Sequence, residues 1–205
     1  MKSRYVMAAL PIAAAAAFGY MSMGSAATNP ITLEETHRKI IDGTNSNWIA
    51  EPITEEEIKQ RWCLAEAIFF EAGNQHMTGK LAVADVIFNR VKSSKYPNTV
   101  CKVVHQGPLN RWWLARGVEH PIKWKCQFSY FCDGKSDDLN KFVNTITYSN
   151  VIESAIFAHR LNKGTLGKHV SFTDGATHYH STSVNPYWNS SLERTVQIQD
   201  HIFYK

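Results

Sequence analysis

The sequence predicts an α+β fold, a mainly helical domain closed by a small C-terminal β-hairpin. Three observations carry that expectation. Apolar residues recur at steps of three and four between residues 55 and 93, the period of a helix with one buried face. After residue 177 the pattern changes to alternation, the period of a strand. The 205 residues suffice for one well-buried domain and are too few for two large ones.

Residues 1–27 carry Lys2 and Arg4, an apolar stretch from Tyr5 to about Tyr20, and the small residues Ser25-Ala26-Ala27. That order reads as an export signal. The uncharged run from Tyr5 to Ala27 is 23 residues, long enough to span a bilayer. It is rich in Ala and Gly and contains Pro11, so a weak signal-anchor with transient membrane contact through residues 5–27 is the other reading. Residues 28–52 show little periodicity and several turn formers, as in a linker or arm. The remainder, 53–205, is expected to be one catalytic domain.

Within that domain Thr54 offers an N-cap before Glu55, Glu56 and Glu57, whose negative charge suits a helix start. Ile58, Trp62, Ala65, Phe69 and Ala72 would form one face, and Gly73-Asn74 would end the helix. Thr78 is expected to cap a second helix running to about Ser93, with Leu81, Ala84, Ile87, Phe88 and Val91 buried. A short third helix is expected after Pro97, between Asn98 and Gln106. Residues 107–137 hold Gly, Pro, Trp and two Cys and read as a long irregular loop, which is uncommon unless functional or stapled. Leu139, Phe142, Val143 and Ile146 start another helical pattern. Ile152, Ala155, Ile156 and His159 continue it after an expected break near Ser149-Asn150, and Gly164 and Gly167 end it. Thr177–His180 and Arg194–Ile198 alternate as strands, and 201–204 would extend the second.

Hydrophobic residues make up 44% and charged residues 20% of the chain, as in ordinary globular proteins. The formal net charge is +4, and removing Lys2 and Arg4 leaves +2. That weak excess suits an anionic polymer without requiring one. There is no Lys/Arg-rich run, so nucleic-acid binding is not expected. Four cysteines after an export signal suggest two disulfides. Zinc is the rival reading, but no Cys-x-x-Cys pair exists. Of the three pairings, Cys126–Cys132 and Cys63–Cys101 are favoured, the first closing a short loop and the second tying two helices.

Glu71 is the candidate acid. Breaking a glycosidic bond needs a proton on the leaving oxygen, which a carboxyl supplies near neutrality only if its pKa is raised. Glu71 falls in the last turn of the first helix, where the partial negative charge disfavours a second one. It follows Ile68-Phe69-Phe70, so desolvation is expected to act in the same direction. Glu66, five residues earlier, would be rotated by about 140° onto a different face.

Cys63-Leu64-Ala65-Glu66-Ala67-Ile68-Phe69-Phe70-Glu71-Ala72-Gly73 and the run from Gly79 through Asn89-Arg90-Val91-Lys92 resemble the opening of the SleB-type cell-wall hydrolases. Four further blocks follow in family order. They are Tyr96-Pro97-Asn98-Thr99-Val100-Cys101 with its continuation to Gln106, Cys126-Gln127-Phe128-Ser129 to Cys132-Asp133-Gly134, Gly175-Ala176-Thr177-His178-Tyr179-His180 with Pro186-Tyr187-Trp188, and the ending from Val196 to Tyr204. The resemblance spans about residues 62–205. It implies a lysozyme-like α+β fold, cleavage of peptidoglycan glycan strands, and Glu71 as the catalytic acid. Family members often read Glu-Ala-Arg-Gly-Glu where this chain has Glu71-Ala72-Gly73-Asn74-Gln75, so no second carboxylate is expected at that place.

Two-carboxylate hydrolysis would need a partner at about 5–9.5 Å from Glu71. The candidates are Asp85 and Asp133, which read instead as a capping or solvent-face residue and a turn residue. A lytic transglycosylase route is therefore preferred. Gln127, Phe128, Ser129, His178, Tyr179, His180 and Trp188 are the candidate substrate-binding residues. His178 and His180 share one strand face, and a metal there would need a third ligand from His120, His159, His169 or His201. No metal and no cofactor is expected. The expected partner is the peptidoglycan polymer, with the protein acting as a monomer in the periplasm or cell wall. The alternatives are a zinc-dependent amidase or peptidase and a non-catalytic wall-binding module.

Overall fold

The structure is a computed structural model that describes residues 53–167 and 170–205. The export segment and arm expected at 1–52, and His169, lie outside the described residues.

Helix α1 (Glu55–Ala72) begins at a capping box. The Thr54 hydroxyl accepts from the Glu57 amide at 3.2 Å, and the Glu57 carboxylate accepts from the Thr54 amide at 3.1 Å. This arrangement satisfies two end donors reciprocally. The buried stripe differs from the one the spacing predicts. Leu64, Ala67 and Ile68 are fully buried, whereas Ile58, Trp62 and Phe69 lie at the margin of the core. The reason is that α1 packs against three other helices, so its apolar arc is wide.

Helix α2 (Met77–Lys92) is buried along its whole length from Gly79 to Phe88. Its cap is His76, not Thr78, and His76 makes no side-chain cap bond. Gln199, far along the chain, supplies the partner. Its carbonyl oxygen accepts from the His76 amide at 3.0 Å, and its amide nitrogen donates to the Thr78 hydroxyl at 2.9 Å. Helix α3 (Val100–Val104) is capped by Thr99. The expected irregular loop contains the single-turn helix α4 (Arg111–Leu114) and a 3₁₀ turn at Ser129–Cys132. A second 3₁₀ turn at Leu139–Phe142 precedes helix α5 (Ile146–Lys163). Helix α5 runs unbroken through Ser149-Asn150. The break falls earlier, where Thr145 accepts from the Tyr148 amide at 3.1 Å and restarts the helix. Gly164 closes α5 at φ +77°, a left-handed conformation suited to glycine.

The C-terminal β-structure has three strands, so the expected hairpin is only part of it. Strands β1 (His178–Ser181), β2 (Arg194–Ile198) and β3 (His201–Tyr204) form an antiparallel sheet of order β1-β3-β2. β3 does not extend β2. The chain reverses at Gln199, whose φ is +49°, and β3 pairs with both neighbours. Phe203 of β3 joins Ala82 and Val86 of α2 in a small core, and Tyr179 packs against both this cluster and the main helical core. Two disulfides, Cys63–Cys101 and Cys126–Cys132, tie α1 to α3 and close the loop around the first 3₁₀ turn. No helix among the described residues is long and apolar enough to cross a membrane.

Candidate active site

Glu71 lies half-buried in the last turn of α1. Its Oε2 accepts a hydrogen bond from the Tyr179 hydroxyl at 2.9 Å. Alternation along β1 turns Tyr179 toward the helices and His178 and His180 the other way. The Tyr179 ring is braced by His201 at 5.0 Å and Phe203 at 5.7 Å between centroids.

Arg90 of α2 is the cation of the site. Its residue is only 5% exposed, so it needs partners. Its Nε donates to the Thr177 carbonyl at 2.7 Å, and its guanidinium lies over the rings of Tyr96 and Phe128 at 5.2 and 5.3 Å. Tyr130 completes the wall, stacked on Phe70 at 4.7 Å.

Burial raises the Glu71 carboxyl above the ordinary carboxylate range, and it outweighs the Tyr179 hydrogen bond and the Arg90 charge, which pull the other way. Burial likewise raises the Tyr179 phenol, reinforced by the charge of Glu71 and the bond to it. Tyr130 is raised by burial and then by the negative charges of Glu66, Glu71 and Asp137.

The other acids are engaged elsewhere. Glu66 accepts from the Trp62 indole at 3.0 Å and faces His105 at 3.5 Å. Asp85 is not on the solvent face. It is 2% exposed, and its Oδ2 accepts from the Ser171 hydroxyl, the Phe172 and Thr173 amides and the Thr173 hydroxyl at 2.6–3.0 Å. It anchors the segment leading to β1. Asp133 accepts from the Lys135 amide at 2.7 Å, as a turn residue does.

The candidate substrate-binding residues divide into two groups. Gln127 and Ser129 are exposed, and His178 and Trp188 are half-buried with rings 5.6 Å apart. His178 also approaches the Tyr96 hydroxyl at 3.5 Å, and burial, then the charges of Arg90 and Lys95, hold its pKa below the usual histidine range. Two expectations are corrected. Phe128 is 1% exposed and packs under Arg90, so it presents no face to a sugar. His180 is 8% exposed, with its ring nitrogens against the Tyr204 hydroxyl and the Ser181 carbonyl, both at 2.9 Å. It is a strut of the sheet. Tyr179 acts on the carboxyl rather than simply lining a groove.

The histidines considered as third metal ligands have separate partners. His159 accepts from Arg61 at 3.3 Å, His201 meets Gln75 at 3.1 Å, and His120 lies against the Pro121 carbonyl. Among the described residues, one trio of possible ligand atoms clusters, Cys63, Glu66 and His105, and the Cys63 sulfur is already bonded to Cys101.

Arg90, Tyr96 and Tyr130 have no role in the sequence reading. The available signal for Arg90 is a cation close to Ile87-Phe88 and beside Val91 on a largely apolar helix.

Fold and site together define a mainly helical α+β domain in which a half-buried carboxyl accepts from a phenol and feels the charge of a buried guanidinium. The model of the cell wall hydrolase family matches residues 74–204, and the chain belongs to that family. The matched segment begins just after Glu71. Two solved structures are similar. One is the catalytic domain of the Bacillus cereus SleB protein, at 23% identity over 71% of this chain and 89% of that one, with a TM-score of 0.42. The other is the catalytic domain of the germination-specific lytic transglycosylase SleB from Bacillus anthracis, at 22% identity over 77% and 100%, with a TM-score of 0.44. No curated protein matches the chain.

Proposed function

We propose that the protein cleaves peptidoglycan glycan strands between N-acetylmuramic acid and N-acetylglucosamine as a lytic transglycosylase, with Glu71 as acid and then base. One observation carries this reading. Glu71 is a half-buried carboxyl bonded to Tyr179, with its pKa raised by burial, while Glu66, Asp85 and Asp133 are held by other partners. A single acid suffices when the sugar supplies the nucleophile.

In the first step the protonated Glu71 gives its proton to the glycosidic oxygen, and the bond from C1 of the muramic residue to that oxygen breaks. The carboxylate left behind keeps the Tyr179 hydrogen bond and faces the developing positive charge at C1. In the second step the muramic 6-hydroxyl attacks C1 and its proton passes to Glu71. The product is a 1,6-anhydro sugar, and the acid is restored. Gln127, Ser129, His178 and Trp188 are the side chains we assign to the sugar.

Export belongs to the same proposal, since two disulfides suit an oxidising compartment and residues 1–27 have the order of an export signal. The test is digestion of purified peptidoglycan followed by mass spectrometry, with and without EDTA. Anhydro-muramic ends that are insensitive to EDTA and lost in Glu71→Gln are expected. Reducing ends would indicate hydrolysis instead, and EDTA-sensitive release of peptides would indicate a zinc amidase.

A further inference from the structure

Toward the N-terminus of α1 from Glu71, a groove of about 500 Å³ is lined by Lys59, Lys102, His105, Glu119, Phe131 and the Cys63–Cys101 disulfide. Its volume lies in the range of ligand-binding clefts. One wall is a stacked pair, His105 on Phe131 at 4.3 Å. His105 in turn faces Glu66 at 3.5 Å, and Glu66 precedes Glu71 by five positions on the same helix. The groove and the candidate site thus lie along the same helix.

Distance and charge restrict what could fill it. Cys63 and Lys59 precede Glu71 by eight and twelve positions on one continuous helix, an axial separation of about 12–18 Å. A stem peptide leaving the muramic acid at Glu71 and extending for about four residues reaches about 13–14 Å. The stem carries free carboxylates and, at its diamino acid, an amine. Lys59 and Lys102 are exposed cations on the groove, and Glu119 is an exposed anion on the same groove. A muramic residue stripped of its stem keeps a lactyl carboxylate at the sugar itself, but offers no amine to Glu119 and no carboxylate at that distance.

We propose that this groove is a second binding site, which takes the acidic stem peptide of the muramic residue whose glycosidic bond lies at Glu71. The proposal rests on the reading of the protein as a glycan-strand cleaving enzyme. Lys59 and Lys102 pair with stem carboxylates, Glu119 faces the diamino acid amine, and His105-Phe131 packs against the peptide backbone. The enzyme is therefore selective for strands that still bear stems.

The test compares intact peptidoglycan strands with the same strands stripped of stems by an amidase, using wild type and Lys59→Ala/Lys102→Ala. Both lysines are exposed and lie outside the candidate catalytic machinery, so the variant is expected to fold. Wild type should show a KM roughly tenfold lower on stem-bearing strands. The double variant should lose that advantage, keep kcat, and match wild type on stripped strands. Equal KM values for wild type on the two substrates would overturn the proposal. So would a variant impaired equally on both, which would make the groove a sugar subsite. Calorimetric titration with isolated stem tetrapeptide separates this proposal from the reading beneath it. Binding that is weakened in the double variant supports the groove even if neither strand is cut, and absence of binding overturns it even if both are cut.

Discussion

Replacing Tyr179 by phenylalanine removes one oxygen atom and keeps the ring against His201 and Phe203. The lost bond is the 2.9 Å contact to Glu71 Oε2. A hydrogen bond to a charged group contributes about 1.5–3 kcal/mol. That bond lowers the Glu71 pKa against the larger effect of burial, so its removal moves the pKa further up. Two consequences follow for a proton donor. The alkaline limb of the pH–rate profile, where Glu71 loses its proton, shifts to higher pH. The rate at the optimum falls by roughly ten- to a hundredfold, because the carboxylate formed as the sugar bond breaks has lost its donor. Clearance of a turbid suspension of purified walls between pH 5 and 10 measures both in one series. An alkaline limb that stays in place, or moves down, would refute the assignment of Tyr179 as the group that tunes Glu71. A uniform loss of rate without any shift would show that the hydroxyl acts other than by tuning the Glu71 proton.

Three further outcomes are expected. Asp85→Ala leaves the Phe172 and Thr173 amides without their acceptor and should cost about 3–5 kcal/mol in urea denaturation, with Asp85→Asn losing less. The loop closed by Cys63–Cys101 spans 38 residues and that of Cys126–Cys132 spans 6. Chain entropy then gives about 4 and about 2 kcal/mol, so the Cys63→Ala/Cys101→Ala protein should melt about 4–8 °C below the Cys126→Ala/Cys132→Ala protein. Burial, then the charge of Arg61, lowers His159 from 6.5 to about 4. The unfolded chain therefore binds this proton first, and the stability is present above pH 6.5 and lost as pH falls toward 4. The total is about 3 kcal/mol. His159→Gln should show a shallower loss over that window in denaturant melts, and an equal loss would remove His159 as its source.

Features decided by neighbours in sequence could be read from it, and features decided by distant contacts could not. Thr54 with Glu57, and Gly164 after α5, are local signals, and both mark helix ends in the structure. The cap of α2 could not be read this way, because Gln199 lies more than 120 residues from His76. Asp85 looks like a surface residue until the 171–173 segment folds over it. On β1 the alternation was legible, but which face turns inward depends on a one-residue choice, and the choice favours Tyr179 over the two histidines. Phe128 sits between plausible sugar-binding neighbours, yet Arg90 needs its ring. Nothing local to Gln127-Phe128-Ser129 announces that demand.

The sheet order has a consequence for when the site can exist. Among the described residues β3 is the last strand to be synthesised, yet it lies between the other two and is the only one of them that pairs with β1. While a nascent chain is still emerging from the ribosome, the helix bearing Glu71 can form long before anything holds Tyr179 against it. Pairing of the Glu71 carboxyl with the Tyr179 hydroxyl thus waits for the strand that is made last of the three.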